Sequence, residues 1–586
     1  MTRTRVLTLL SVLLLAGCPT RPDDGVKVAG PPAPGPTADG GTDTGGSKAA
    51  ATLRIASPAS DVSTNGTVAI TVAVDGGAAP VTIQLVVDGA TLTTLSAPAP
   101  YRYSWDTTGI GEGQHTLLAQ ATVDGQLIAS PPVTVIVDRT APIIASMVPA
   151  AGAVNVVLRA PITVTFSEPI AASSFTSSSV ALQAGGTVVA TTATLSADGL
   201  SAVVTIADFS SFALPATFSA TLAPTITDLV GNAIKAPVAW SWNVPDWIKY
   251  ASVGSSTQPA LAVGPNFQPT LAYTRCLTAA GASSCADDLF VAASDGQAWN
   301  SLGQVPALVG PGSLDLDPQG RPIVAGVGVA AGLSDVSLRL ASWNGSDWDS
   351  SIAPFTIATT SAVVANPLVR LDPSGHPVVA WRDGIASINA DLGVARWTGT
   401  AWDQSFGKFG LTNAESASLV LDGSGNPIVG FSQGGGSLFS VTTSTFRSWN
   451  GTSWISATSN QGLAPFVALD TALEPMMLAG ATVEHYAGGT WLPEIASAIP
   501  YSTAAGNPHL TTGPDHRPVV AWLDTAAPLQ VGLARWTGAA WNTRAGLFNA
   551  GGVVTSEAPG LLVDGRGSVW VFWREGGAAN VWMSNY

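Results

Sequence analysis

Apolar and polar residues alternate along most of the chain, in short runs bounded by Gly, Pro, Asp and Asn. TVAITVAVDG (67–76) and VTIQLVVDG (81–89) both end in Asp-Gly. PITVTFSEPI (161–170), SAVVTI (201–206), TFSATLAP (217–224) and VAWSWNV (238–244) follow the same rule. A period of two sends successive side chains to opposite faces, so each run predicts a strand with one face buried. Asp-Gly between two such runs predicts a tight hairpin, because both positions tolerate positive φ.

From residue 246 onward the pattern repeats. One element is an apolar strand, an acidic or Gly-rich turn, then a second apolar strand, usually led by Pro. It reads LDLDPQGRPIVAG (314–326), VRLDPSGHPVVAW (369–381) and LVLDGSGNPIVGF (419–431). Looser copies are LAVGPNFQPTLAY (261–273), VALDTALEPMMLA (467–479), LTTGPDHRPVVAW (510–522) and LLVDGRGSVWVFW (561–573). The other element is SWNGSDW (342–348), RWTGTAW (396–402), SWNGTSW (448–454), YAGGTW (486–491), RWTGAAW (535–541) and the weaker SDGQAW (294–299). In the first, Pro presets φ, Asp bonds turn amides and Gly accepts positive φ. In the second, Asn-Gly or Thr-Gly makes a hairpin whose flanking Trp residues pack on each other or on the next repeat. Seven copies of one element and six of the other leave one Trp hairpin incomplete. The stretch Pro245-Asp246-Trp247-Ile248-Lys249-Tyr250 aligns with the missing strand. That arrangement resembles a β-propeller, in which strands from both ends of the region share one blade. About 341 residues over seven repeats is near 49 per blade, within the span of propeller repeats. The expected fold is all-β: two Ig-like β-sandwiches, then a seven-bladed β-propeller with shared-blade closure.

Composition agrees with strands and narrows the class. The chain has 586 residues, 46% apolar and only 11% charged, with 62 Gly and 41 Pro. Its polar surface must come mostly from Ser, Thr, Asn, Gln and backbone, as in β-rich exported proteins. A net charge of −15 and no clustered Lys or Arg argue against nucleic acid as a partner. Sixteen of the 19 Trp fall in the repeat region at repeat-specific positions, so most are read as packing rather than sugar platforms.

The N-terminus predicts export. Arg3 and Arg5 precede an apolar run from Val6 to Gly17, too short to span a bilayer but suited to a signal core. Leu15-Ala16-Gly17-Cys18 resembles the lipobox of bacterial lipoproteins. The resemblance implies cleavage before Cys18 and a diacylglycerol on its sulfur; Pro19 in place of Asp implies the outer membrane, facing outward or toward the periplasm. Residues 1–17 are thus a signal peptide and 18–51 a Pro/Gly-rich tether with too little apolar surface to fold. Export leaves Cys276 and Cys285 in an oxidising compartment, where a local disulfide is expected.

Residues 52–138 resemble the Ig-like domains of bacterial surface proteins, through YRYSWDTTGIGEGQHTLL (101–118). Residues 139–245 resemble a second such type, through the P-x-x-G-A-x-x-V motif of PAAGAVNV (149–156) and through ITVTFSEPI (162–170). The resemblance implies spacers. The first of them contains no Cys pair, so packing alone must hold its core. Glu168 and Asp228 raise the question of Ca²⁺, but no multi-carboxylate loop is visible in the sequence, and they read as polar strand ends. No metal or cofactor is expected.

Function is expected where the repeats differ. The repeated turns define one face, and the variable loops define the other, including the Cys276–Cys285 loop, RDGIASINAD (382–391) and SQGGGS (432–437). Just past the second strand lie Arg275, Trp381-Arg382-Asp383, Asp524 and Trp573-Arg574-Glu575. In so uncharged a chain these residues are candidate ligand contacts. No HExxH, GxSxG or P-loop is present, and the five His are scattered. The Asp-box of sialidase-like propellers is matched only in its Gly-to-Trp spacing, as Gly345 to Trp348, with Trp343 at the Asp position. The reading is therefore a monomeric, lipid-anchored, non-catalytic binding protein for a carbohydrate or a surface protein. A propeller-type polysaccharide-active enzyme and a structural envelope component are the alternatives.

Overall fold

The computed structural model describes residues 50–77, 79–209, 211–276, 287–296, 298–329, 336–352, 354–358, 365–384, 390–411, 414–434, 441–459, 466–495, 497–500, 505–524, 530–544 and 559–585. The signal segment, Cys18, almost all of the tether, and Cys285 lie outside these residues. The described chain is β throughout, with one 3₁₀ turn at Ser177–Ser179. It divides into two compact units, Met1–Val137 and Asp138–Tyr586.

In the first unit, Thr52–Ser57, Thr67–Asp75 and Tyr101–Asp106 form one sheet. Val62–Thr64, Val133–Val137, Gly113–Val123, Thr82–Val87 and Ala90–Ser96 form the other, with Gln126–Ala129 on Gly113–Val123. The inward positions of the period-two runs make the core: Ile70, Ile83, Leu85, Trp105 and Leu117 are buried together. Asp88-Gly89 and Asp124-Gly125 each have positive φ at both residues, as tight hairpins require. Asp88 also accepts from the Thr116 amide and pairs with His115; chiefly the His115 bond holds its carboxyl below the usual range.

The second unit begins with another sandwich. Ile144–Val148, Ile162–Phe166, Ser201–Ile206 and Thr191–Leu195 face Thr187–Val189, Val180–Ala184, Ala216–Leu222 and Val238–Val244. Phe166, Phe218, Trp240 and Trp242 fill the space between them.

The repeats then give antiparallel strands in chain order. In the third repeat these are Ala365–Leu371, Pro377–Asp383, Asp391–Trp397 and Trp402–Asp403. The long strand Trp299–Leu316 serves both the first repeat and the second, so these two share one sheet. The first strands of neighbouring repeats lie side by side. Val369 N donates to Ser313 Oγ at 3.1 Å and Leu371 N to Asp315 Oδ2 at 2.8 Å, so those two strands run in the same direction. Val467 N likewise donates to Ser418 Oγ at 3.0 Å. Trp247–Lys249 pairs antiparallel with Ala578–Ser584, placing the first and last strands of the region in one sheet.

Both repeated motifs have a chemical reason. Asp317, Asp372, Asp422, Asp470 and Asp564 each turn Oδ1 onto the amides two and four residues ahead, at 2.8–3.0 Å. In the hairpins, Trp343–Trp348, Trp397–Trp402, Trp449–Trp454, Tyr486–Trp491 and Trp536–Trp541 meet edge-to-face at 5.4–5.6 Å. The second indole reaches back to an earlier segment: Trp348 Nε1 donates to Leu302 O, Trp454 to Phe406 O and Trp541 to Ser497 O, at 2.8–3.0 Å. These tryptophans bind repeat to repeat.

Candidate functional site

Because each first strand ends in an Asp turn, the second strand runs back to the opposite end of its sheet. The far ends of the second strands therefore lie away from the repeated turns. Residues 277–286, 330–335, 385–389, 435–440 and 525–529, which follow those strands in sequence, lie outside the described residues.

The candidate contacts divide into two groups. Trp381, Trp573 and Glu575 are core, with exposures of 3%, 1% and 4%. The Trp381 indole lies on Gly393 of the next strand, where a Cβ would stand 2.3 Å from the ring. Trp522 covers Gly532 in the same way. Trp573 Nε1 donates to Glu575 Oε2 at 3.1 Å, which satisfies two buried polar groups at once. The sequence reading places these three among candidate ligand contacts because charge and aromatics fall just after the second strand; in the fold their side chains are buried.

The remaining residues stay at least partly accessible. Arg275 is exposed, opposite Asp288 in register, with its guanidinium 5.8 Å from the Phe290 ring. Asp383 pairs with Lys408, and Arg382 precedes it on the strand end. Asp524 is half-buried opposite Gln530. Arg574 Nε donates to Ser255 O at 3.1 Å. Cys276 closes the strand Pro269–Cys276.

Beside Arg574 the fold builds a hydroxyl cluster that sequence reading missed. The buried Thr274 Oγ1 lies 2.9 Å from Ser256 Oγ and 2.7 Å from Thr257 Oγ1, and it accepts from Thr257 N. Ser256 Oγ donates to Asp287 Oδ1 at 2.6 Å. Lys408 was also missed. No local spacing marks any of these, since each meets its partner across strands.

Asp315 is half-buried, and desolvation of its carboxyl pushes its pKa up, opposed by the charge of Arg370. His509 stacks on Phe466 with ring centroids 3.8 Å apart, and its Nδ1–H donates to Pro559 O. Burial pushes its imidazole down to about 4.

In the second sandwich the carboxylates of Asp138, Glu168 and Asp228 bring oxygens within 4.8 Å of one another. The three come from separate segments, which is why Glu168 and Asp228 looked like isolated strand ends. Asp228 is already engaged, with Oδ1 accepting from the amides of Val230, Gly231 and Asn232 at 2.7–2.9 Å.

Fold and sequence together define an all-β protein with two bacterial Ig-like domains followed by propeller-like repeats. Residues 52–119 match the family model described as a bacterial Ig domain, and residues 138–244 match that described as a bacterial Ig-like domain. No curated protein matches the chain. Among solved structures, the chain is similar to the GH93 α-L-arabinofuranosidase of Fusarium graminearum (10% identity, 57% of this chain and 97% of that one, TM-score 0.36). It is similar to the sialidase of Trypanosoma rangeli (8%, 58% and 59%, TM-score 0.35). It is also similar to the six-bladed, fucose-recognising lectin of Aleuria aurantia (12%, 57% and 93%, TM-score 0.32). The expectation that the chain is not an enzyme does not stand, because it rests on the absence of a short motif alone. The physical reason for the misreading is general. Catalytic groups gathered from separate strands leave no short motif, so the absence of one excludes nothing.

Proposed function

We propose that this chain is a lipid-anchored surface protein whose C-terminal region engages a polysaccharide at the far ends of its second strands. In this reading Cys18 carries the lipid, residues 18–51 tether the chain to the outer membrane, and the Ig-like domains are spacers. The head is a monomeric seven-bladed propeller sharing one blade between its ends, with a Cys276–Cys285 disulfide in one of its loops. The pairing of Trp247–Lys249 with Ala578–Ser584 supports that closure.

The observation that carries the reading is the arrangement of polar groups at one end. Arg275, Arg382 with Asp383, Asp524 and Arg574 stand at second-strand ends in four repeats, and Lys408 and the Thr274 hydroxyl cluster join them. Interleaved donors and acceptors of low net charge suit neutral or mildly charged sugar hydroxyls better than a polyanion. At the opposite end the turn aspartates each spend one carboxylate oxygen on their own backbone amides.

The test is a polysaccharide array probed with the full chain, with chromatography of the unbound fraction. The reading expects saturable binding that weakens at least about tenfold in an Arg382→Ala/Asp383→Ala/Arg574→Ala variant. Unchanged affinity in that variant overturns the site. Released oligosaccharide would show that binding leads on to cleavage. For the anchor, labelled fatty acid should be incorporated into the wild type and not into Cys18→Ser.

A further inference from the structure

The repeats act as controls for one another at the Asp that caps the first turn. Its Oδ1 does the same work in the five repeats that have it, but its Oδ2 finds a donor or cation in four of them. Arg321 Nε donates to Asp317 at 2.7 Å, Asn426 Nδ2 to Asp422 at 3.0 Å, and Trp570 Nε1 to Asp564 at 3.0 Å. Arg396 Nε stands 3.7 Å from Asp372. The fifth repeat breaks the rule. Four residues beyond Asp470 stands Glu474, a carboxylate where Asp317 and Asp422 have a donor. The third strand of that sheet offers His485, and the fourth offers Glu494.

One ligand atom each from Asp470, His485 and Glu494 fall within 4.8 Å of one another. His485 Nε2 is also 4.0 Å from Glu474 Oε2. His485 Nδ1 lies 2.8 Å from Glu494 Oε2, yet it is buried without the alignment a hydrogen bond needs. One imidazole thus faces three carboxylates, one of them buried at 5% exposure. Like charges at this spacing repel unless a cation stands among them.

We infer that Asp470, His485 and Glu494 form a site for a borderline divalent metal ion of the Zn²⁺ type, clipping the first turn of this sheet to its third and fourth strands. One imidazole with carboxylates suits Zn²⁺, whereas Ca²⁺ and Mg²⁺ prefer oxygen alone. Glu474 stands at the rim, where it adds negative charge. The ion takes the place that Arg321, Arg396, Asn426 and Trp570 fill in the other repeats.

The full chain, stripped with EDTA and dialysed, is titrated with Zn²⁺ by calorimetry and thermal shift, with Ca²⁺ and Mg²⁺ in parallel. The expected result is saturable uptake of Zn²⁺ and a raised Tm, both lost in His485→Gln and in Glu494→Gln. Asp470 is left intact because its other oxygen holds the turn. No saturable uptake by the wild type overturns the site, as does uptake that both variants retain. A stronger response to Ca²⁺ overturns the assigned class. Should a variant fail to fold, Co²⁺ bound to the wild type gives the answer. Weak visible bands alone are expected, and an intense near-ultraviolet thiolate band would assign the metal to Cys276 and Cys285 instead.

Discussion

His509 shows what one side chain contributes by staying neutral. Folded, it resists protonation until about 4, whereas the unfolded imidazole titrates near 6.5. Between those values the unfolded state binds more protons, so stability falls as the pH falls through that window and is constant above it. His509→Gln keeps a donor toward Pro559 O and removes the titration. Its urea midpoint should fall less than that of the wild type between pH 6.5 and pH 4. Parallel curves would show that the imidazole does not carry the effect. Gly532 makes a steric case at the same scale. A Cβ there stands 2.3 Å from the Trp522 ring, so Gly532→Ala should cost about 2 kcal/mol in chemical denaturation.

At the scale of the element, the Asp turn is a small scaffold of its own. Asp564 accepts from the amides of Arg566 and Ser568 and from the Trp570 indole, all at about 3.0 Å, and is itself buried. Asp564→Ala leaves those donors without an acceptor and should destabilise the region by about 3 kcal/mol, read as a shift in its denaturation midpoint. Trp348→Phe keeps the aromatic packing on Trp343 and loses only the bond to Leu302 O, so about 1 kcal/mol is expected. Elements of this kind were legible in the sequence, because alternation and turn chemistry are written within a few residues of each other. Trp343 and Trp348 reveal their hairpin by spacing alone. The sites were less legible. Thr274 meets Ser256 and Asp287 across strands, and Asp138, Glu168 and Asp228 converge from three segments. Trp573 and Glu575 close a strand in sequence, while in the fold their side chains satisfy each other.

At the scale of the whole second unit, one buried residue ties distant parts together. The Asn585 side chain accepts from Leu158 N at 2.9 Å and donates to Val156 O at 3.2 Å and to Pro245 O at 2.7 Å, while its own amide donates to Asp246 O. It thereby joins the second Ig-like domain, the segment leaving that domain and the final sheet. Asn585→Ala strands the Leu158 amide, which should exchange its hydrogen faster by the factor that about 1–2 kcal/mol allows. An unchanged exchange rate would mean that the junction is held by apolar contacts alone.

That junction also decides where force would run. Tension arriving through the second Ig-like domain reaches Pro245, and there it does not fall on a lone strand. Trp247–Lys249 is laid against Ala578–Ser584, and Asn585 grips both Pro245 and the domain behind it. The load passes directly into the last sheet of the region. Under such a pull the strand pairing and the Asn585 bonds would be loaded together, because both hold the chain beside Pro245.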